Sequence, residues 1–80
     1  MIKFRAKTLN GWTVDSPLQS VTFPVGAVHI SGADNPTSFD FQIAWVTGLD
    51  HSDLFTLAMW ADVCSSRGER SVLVLPYLPG

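Results

Sequence analysis

The C-terminal third of the chain, residues 49–80, has the hydrophobic pattern of a helix followed by a buried strand. Apolar and small side chains recur there at helical spacing, at Leu54, Leu57, Ala58, Ala61 and Cys64. An almost wholly apolar run over residues 71–76 follows, which is typical of a strand covered on both faces. The pattern therefore predicts a strand–helix–strand unit whose two strands are parallel.

Polar residues and a glycine mark where this helix begins and ends. Asp50 or Ser52 is the expected N-cap, and Asp53 falls in the first turn, where a negative charge suits the helix dipole. Gly68 is the expected end because glycine readily adopts the left-handed conformation that terminates helices. Arg67 is expected in the last turn, where a cation complements the free carbonyl groups.

The N-terminal part of the chain predicts a β-hairpin. Residues 2–7 alternate between apolar and basic side chains, as in a half-buried strand. Asn10-Gly11 follows, a pair that favours a two-residue turn in which both residues have positive φ, and residues 12–14 return as the second strand. Pro17 ends this segment because proline lacks a backbone donor.

The middle of the chain contains further strand and turn signals. Residues 21–30 read as two β-prone runs interrupted by a turn at residues 24–26, which contain proline and glycine. Residues 31–38 have the composition of a loop. Residues 39–46 form a strand whose alternation weakens toward its end, as expected where a strand enters the interior of a sheet.

Composition changes this picture in one respect. Eighty residues form one domain, and a chain this short buries only roughly 60% of its unfolded surface. Yet 46% of the residues are hydrophobic and only 15% are charged. Part of the apolar surface is therefore expected to face a partner subunit or a remainder of the same chain.

Charge and cysteine content limit the classes of partner and compartment. The net charge of −2 argues against a nucleic-acid partner. Lys3, Arg5 and Lys7 share one face of the predicted strand, either as a solvated face or edge guard or as a phosphate-binding stripe. Cys64 excludes an internal disulfide and is interpreted as a small core residue. No run approaches the roughly 18 apolar residues of a membrane span, so a cytoplasmic protein without a membrane partner is expected.

Catalytic and metal-binding motifs are not evident. His29 and His51 are not accompanied by a second ligand pair at a metal-binding spacing, and no nucleophile elbow, Walker loop or dinucleotide-binding glycine pattern occurs. Asp50, His51 and Asp53 form a polar cluster at the helix start, where they either cap the helix or accompany a bound anion. No catalytic residue and no metal ligand is assigned.

Two stretches, FDFQIAWVTG and HSDLFTLAMWADVCSSRGERSVLVLPYLPG, resemble the ribose-phosphate pyrophosphokinase family, whose enzymes make phosphoribosyl pyrophosphate. Residues 52–54 and Leu57 match the start of that family's helix, residues 61–62 match its Asp-Ala region, and residues 74–77 match its Pro-Tyr strand end. With the segment described next, the resemblance covers residues 22–80.

The resemblance also identifies a nucleotide loop. Residues 23–28 look like the family's Phe-Xaa-Asp-Gly-Glu segment, which reaches the nucleotide of a neighbouring subunit. The residues implied to contact the nucleotide are Phe23, Val25 and Ala27, with Phe23 stacking on the base. Val25 and Ala27 occupy the positions of the family's acidic pair, which suggests a changed nucleotide or acceptor, for example ADP-ribose.

The family's fold and reaction follow as expectations. The resemblance implies an incomplete α/β domain, with a phosphoribosyltransferase-like parallel sheet, an N-terminal hairpin and one crossover helix. Residues 1–80 would be the N-terminal portion of a longer homo-oligomeric enzyme and inactive alone, because the family's catalytic loops follow the Pro-Tyr strand end. ATP and a ribosyl phosphate would be its small-molecule substrates, with Mg²⁺ as cofactor.

A non-catalytic interaction module is the alternative. The chain contains three tryptophans, Trp12, Trp45 and Trp60, which is a large number for its length. Tryptophan is common both in cores and at interface hot spots. The helix is also apolar on more than one side, which is typical of a helix buried between layers or at a subunit contact. A stop codon after Gly80 would favour the module, and a continuing reading frame would favour the enzyme.

Overall fold

A computed structural model of the chain describes residues 1–48 and 50–75. Its elements in chain order are β1 (Ile2–Thr8), β2 (Thr13–Asp15), β3 (Gln19–Thr22), β4 (Val28–Ser31), β5 (Phe39–Val46), α1 (His51–Ser66) and β6 (Arg70–Val74). Pro76 and Tyr77, which the resemblance places at a strand end, lie outside the described residues.

The described strands form a mixed four-stranded sheet, in the order β2-β1-β5-β6, and a separate two-stranded sheet of β3 and β4. β5 and β6 are parallel and joined by α1, which confirms the predicted strand–helix–strand unit. The expectation of a parallel sheet is wrong for the rest, because β1 pairs antiparallel with both β2 and β5. A short hairpin connects β1 to β2, and such a connection permits only antiparallel pairing. The fold class is thus α/β with a mixed sheet.

The predicted N-terminal hairpin is confirmed, but its turn differs from the expected one. The Thr8 N–H donates to the Trp12 carbonyl at 2.7 Å, and the Gly11 N–H donates to the Thr8 carbonyl at 2.9 Å. Gly11 has a φ of 91°, whereas no residue other than glycine has positive φ in the described ranges, so Asn10 does not. The loop is therefore a three-residue loop with one left-handed glycine, another common hairpin connection.

Asp50 is the N-cap of α1, which confirms the first of the two predicted alternatives, Asp50 and Ser52. The Asp53 N–H donates to the Asp50 side chain at 3.0 Å, and the Asp50 N–H donates to the Asp53 side chain at 3.2 Å. This reciprocal arrangement is a capping box formed with an aspartate at the third position. Ser52 supports the cap, because its hydroxyl donates to the Asp50 carboxylate at 2.7 Å.

The predicted glycine terminus of α1 is also confirmed. Gly68 has a φ of 71°, and the N–H groups of Gly68 and Glu69 donate at 3.0 Å to the carbonyls of Ser65 and Cys64. These two bonds form a Schellman motif. The expected role of Arg67 is wrong, since Arg67 is the C-cap and its guanidinium turns away from the helix end toward a loop.

The buried face of α1 matches the predicted stripe only in part, since Cys64 is buried and Leu57 packs against the core. Thr56, Trp60 and Cys64 are buried, whereas three members of the stripe are exposed: Leu54, Ala58 and Ala61. The Trp60 ring packs against Phe4 of β1, with ring centroids 5.9 Å apart. Apolar residues occur on both sides of α1, so their spacing does not select a face, and the side with the large indole ring is the one buried.

The core lies between α1, one face of the large sheet and the β3–β4 hairpin. It is formed by Leu18, Ile30, Ala44, Trp60 and Cys64. Gly32 closes the hairpin against the preceding segment, and it has a φ of 87°. A Cβ atom at this position would overlap the carbonyl of Pro17, so the close approach of the two backbones requires glycine.

β6 was expected to be covered on both faces, and this is wrong for the described residues. β6 is an edge strand, and Val72 and Leu73 are 38% and 50% exposed. Val72 is exposed because α1 and the β3–β4 hairpin cover only one face of the sheet, whereas Leu73 pairs with Ala44 on the covered face and is exposed at the sheet edge. We call the other face, which carries Lys3, Arg5, Ile43, Trp45 and Val72, the open face.

Candidate functional site

The three residues predicted to contact a nucleotide lie together at the tip of the β3–β4 hairpin. The Phe23 N–H donates to the Ala27 carbonyl, and the Gly26 N–H donates to the Phe23 carbonyl, both at 2.8 Å. Gly26 has a φ of 85°, which allows the chain to reverse there. Val25 is 89% exposed at the tip. Pairing of the two flanking strands therefore brings Phe23, Val25 and Ala27 to one projecting loop, which we call the tip loop (residues 23–27).

The Phe23 side chain is placed for stacking. Its ring centroid lies 6.4 Å from that of His29, with the planes tilted by 41°. Phe23 remains 47% exposed, so His29 supports part of the ring while the rest faces solvent. An aromatic ring held in this way can accept a flat ligand ring.

A groove of about 270 Å³ separates the tip loop from the first turns of α1. Its lining residues are Gly26, Ala27, Val28, Ser52, Phe55 and Met59. Phe55 is 72% exposed and supplies a second aromatic surface there. The lining carries no charged side chain, so the groove offers apolar and stacking contacts and the Ser52 hydroxyl, but no cation for a phosphate group.

The polar cluster at the start of α1 serves to cap the helix. The pKa of Asp50 is lowered by the hydrogen bond from the Ser52 hydroxyl and next by that from the Asp53 N–H. Asp53 in turn accepts from the Asp50 N–H. Of the two predicted roles, helix capping and contact with a bound anion, capping accounts for these contacts.

The most extensive polar arrangement in the described residues was missed at the sequence level. Arg67 uses all five of its N–H donors. Nε and Nη2 donate to the Glu69 carboxylate at 2.7 and 3.1 Å. Nη1 donates at 2.9 Å to the carbonyls of both Ala33 and Asn35, and Nη2 donates to the Thr37 carbonyl at 2.6 Å. One side chain therefore holds the whole loop between β4 and β5.

The Glu69 carboxylate is equally well satisfied. Besides the two bonds from Arg67, it accepts from the Phe39 N–H at 2.8 Å and from the Gln42 amide at 3.0 Å. Burial raises the pKa of Glu69, but hydrogen bonds from Arg67, Gln42 and the Phe39 N–H outweigh it, so the pKa is lowered overall. The hydrogen bonds from Arg67 to Glu69 raise the pKa of Arg67 despite burial.

The network continues through Gln42 to the segment before β3. Gln42 is fully buried, and the Ser16 hydroxyl donates to its side-chain carbonyl at 2.6 Å. The Leu18 N–H donates to the Ser16 hydroxyl at 3.1 Å. Because these donors and acceptors are occupied by one another, we interpret the network as structural. The Arg-Gly-Glu sequence at a glycine helix end was a signal for the ion pair, but not for its loop partners.

Cys64 and the acidic residues do not form a reactive or metal-binding centre. Cys64 is fully buried, and burial, followed by the charge of Glu69, raises the pKa of its thiol to about 11. This confirms its predicted place in the core.

Within residues 1–48 and 50–75, no three His, Cys, Asp or Glu side chains are grouped so that they could hold a metal ion. The described residues therefore offer no such group for the Mg²⁺ that the resemblance implies, and no step is assigned to it. No helix in the described part of the chain is both long and apolar enough to cross a membrane.

Comparison with protein-family models, with curated proteins and with solved structures gives no match for this chain. The candidate site is therefore defined by the geometry of the tip loop and the adjoining groove.

Proposed function

We propose that this chain is the N-terminal segment of a ribose-phosphate pyrophosphokinase-like enzyme with a phosphoribosyltransferase-like fold. The observation that carries the proposal is the exposed Phe23 ring on a projecting loop, together with the sequence resemblance of that loop. The parallel β5–α1–β6 unit supports it, because residues 53–54 lie in the first turn of α1, where the resemblance requires them.

The proposed reaction transfers the pyrophosphate group of ATP to the anomeric hydroxyl of ribose 5-phosphate, or of a related ribosyl phosphate such as ADP-ribose. The anomeric hydroxyl loses its proton as its oxygen forms a bond to the β-phosphorus of ATP, the bond from that phosphorus to the oxygen bridging to the α-phosphate breaks, and AMP leaves with the bridging oxygen. Such displacements depend on positioning and on cationic groups that balance the developing charge. The tip loop has no cation, so the rest of the enzyme supplies those groups.

The role proposed for the tip loop is nucleotide contact across a subunit boundary. Phe23 stacks on the base, while Val25 and Ala27 offer only apolar side chains where the family has an acidic pair. Hydrogen bonds to the nucleotide from these two side chains are therefore lost, which motivates the proposal of a changed nucleotide or acceptor. A homo-oligomeric, cytoplasmic enzyme that does not bind nucleic acid belongs to the same proposal.

The test uses the protein expressed from its native gene. Its intact mass is measured first, and AMP release from ATP is then followed with ribose 5-phosphate or ADP-ribose as acceptor. Phe23→Ala is expected to raise the KM for ATP about tenfold, since one stacked base contributes about 1–3 kcal/mol. Trp12→Ala, which removes an exposed aromatic ring from the β1–β2 loop instead, is the matched control and should leave the KM unchanged. If neither acceptor supports AMP release, the proposed enzymatic activity is refuted. If the two variants have the same KM for ATP, the proposed role of Phe23 is refuted.

A non-catalytic interaction module remains the second candidate because large apolar side chains are exposed. Trp12 and Phe55 are 73% and 72% exposed, and Leu54 is 53% exposed. Exposed apolar area of this kind is typical of protein contact surfaces. A protein of 8.7 kDa without ATP-dependent AMP release would favour this candidate.

A further inference from the structure

Positive charge is concentrated on the open face of the sheet. The chain has five Lys and Arg residues, and the strand register places four of them, Lys3, Arg5, Lys7 and Arg70, on this face. The fifth, Arg67, is enclosed in the ion-pair network. The chain as a whole has a net charge of −2, so this face is an electropositive surface on an acidic molecule.

A groove of about 520 Å³ lies on the open face, within the range of small-molecule sites. Its lining residues are Met1, Lys3, Arg5, Thr13, Trp45 and Thr47. They combine two cations, two hydroxyl groups and an aromatic ring. The tip loop packs beside α1 on the other side of the sheet, so this groove is separate from the site described above.

Trp45 lies where a ligand ring could stack beside a cation. It is 44% exposed and directly opposite Lys3 in the pairing of β1 with β5. Directly opposed side chains lie about 5 Å apart at Cβ, and Arg5 is the next residue of β1 on the same face. One ligand can therefore contact the indole ring and both cations.

Arg5 retains binding capacity. Its Nε is buried and has no hydrogen-bond partner among the described residues. Its Nη1 lies 3.2 Å from the Asp15 carboxylate, which is 84% exposed, so the pair is readily replaced by a stronger anionic partner.

We propose that this groove binds a nucleoside phosphate, with the base stacked on Trp45 and the phosphate held by Lys3 and Arg5. A single nucleotide fits better than a nucleic-acid strand, because Asp15 places a negative charge on the open face beside β1. The inference is independent of the enzymatic proposal, since it concerns another face of the sheet.

Photolabelling of the full-length protein with 8-azido-ATP tests the location. Adducts are expected in the peptides that contain residues 1–15 and 45–47, they should be competed by ATP, and Phe23→Ala should retain them. Adducts confined to residues 23–28 or to other parts of the protein would overturn the proposal. The readout is the labelled peptide, so it does not depend on whether the protein makes phosphoribosyl pyrophosphate.

Calorimetric titration with ATP tests the roles of the residues. Trp45→Leu is expected to weaken binding at this site about tenfold. Lys3→Gln should weaken it and reduce its dependence on ionic strength. Lys7→Gln is the matched control, because Lys7 is on the same face but its ammonium lies 5.4 Å from the centroid of the Phe41 ring, outside the groove lining.

Two outcomes would contradict the proposal directly. Tripolyphosphate binding as tight as ATP and unaffected by Trp45→Leu would indicate an unspecific anion surface. Oligonucleotide binding that strengthens with strand length would indicate a nucleic-acid surface. Both Trp45 and Lys3 are exposed, so either variant should fold, and the Lys3→Gln result stands even if Trp45→Leu is unstable.

Discussion

Arg67 and Glu69 form a bidentate ion pair, with Nε 2.7 Å from Oε1 and Nη2 3.1 Å from Oε2. The two side chains are only 10% and 5% exposed. A buried pair of this kind is stable only if the remaining donors and acceptors are also satisfied. Here the loop carbonyls and the groups of Phe39 and Gln42 satisfy them, so the pair connects α1, β5 and the loop before β5.

Replacing Glu69 by Gln should strongly destabilise the fold. The substitution leaves the Arg67 guanidinium buried without its counter-charge, which typically costs about 3–5 kcal/mol. Urea unfolding followed by circular dichroism measures the loss. Asp62→Asn, on the exposed side of α1, is the control and should change the free energy of unfolding by about 0.5 kcal/mol or less. Similar midpoints for the two variants would refute the structural role of the pair.

The same network predicts how stability depends on pH. The folded-state pKa of Glu69 is lowered from its ordinary value of 4.5, so its contribution is fully present above that pH. It is lost as the pH falls below 4.5 and through the lowered folded-state pKa, because the unfolded chain binds the proton first. As the pH is lowered over this range, the urea concentration at the unfolding midpoint should fall less steeply for Glu69→Gln than for the unaltered protein. Asp50, whose pKa is also lowered, accounts for part of the remaining slope.

Gly32 and Gly26 provide a matched pair for testing the backbone approach at Pro17. Both glycines have positive φ, at 87° and 85°, so alanine at either position costs about 1–2 kcal/mol for conformation alone. Only at Gly32 would the new Cβ meet a backbone carbonyl, that of Pro17, whereas Gly26 faces open space. The free energy of unfolding of Gly32→Ala should therefore be lower than that of Gly26→Ala by about 1–3 kcal/mol. Equal unfolding midpoints would contradict the close approach.

Two residues of α1 distinguish its buried face from the stripe that the sequence suggests. Trp60 is 3% exposed and Leu54 is 53% exposed. Trp60→Ala should lower the free energy of unfolding by about 3–5 kcal/mol. Leu54→Ala should lower it by about 1 kcal/mol or less, because the side chain is already largely in water. Thermal unfolding of both variants checks the assignment, and the reverse order would show that the other face of the helix is buried.

The thiol of Cys64 should be inert in the folded protein. It is fully buried, and its pKa is raised to about 11, so the reactive thiolate is scarce at pH 8. Labelling with a thiol-reactive disulfide reagent should be limited by opening of the structure and should become rapid in urea. Rapid labelling without denaturant would place Cys64 at an accessible surface instead.

Local signals in the sequence account for much of the fold. Alternation predicted β1 and β5, and the cap at Asp50 and the glycine at Gly68 fixed the limits of α1, because these depend on neighbouring residues alone. The buried face of α1 could not be predicted in this way, since apolar residues occur on more than one of its sides. It is determined by contacts with residues far along the chain, such as Phe4.

The candidate sites show the same division. The turn that brings Phe23, Val25 and Ala27 together was predictable from Pro24 and Gly26, and so was the shared face of Lys3, Arg5 and Lys7. Their neighbours were not. Trp45 joins the cations only through the register of β1 against β5, and Arg67 meets its carbonyl partners only after the loop has folded over the helix end.

The hydrogen bonds between Arg67 and the loop before β5 also have a consequence for the order of folding during synthesis. The carbonyls of Ala33, Asn35 and Thr37 precede Arg67 by 34, 32 and 30 residues. A ribosome releases the chain from its N-terminus, so these carbonyls emerge well before the side chain that will bind them. The hydrogen bonds from Arg67 to this loop therefore cannot form until the whole of α1 has been synthesised.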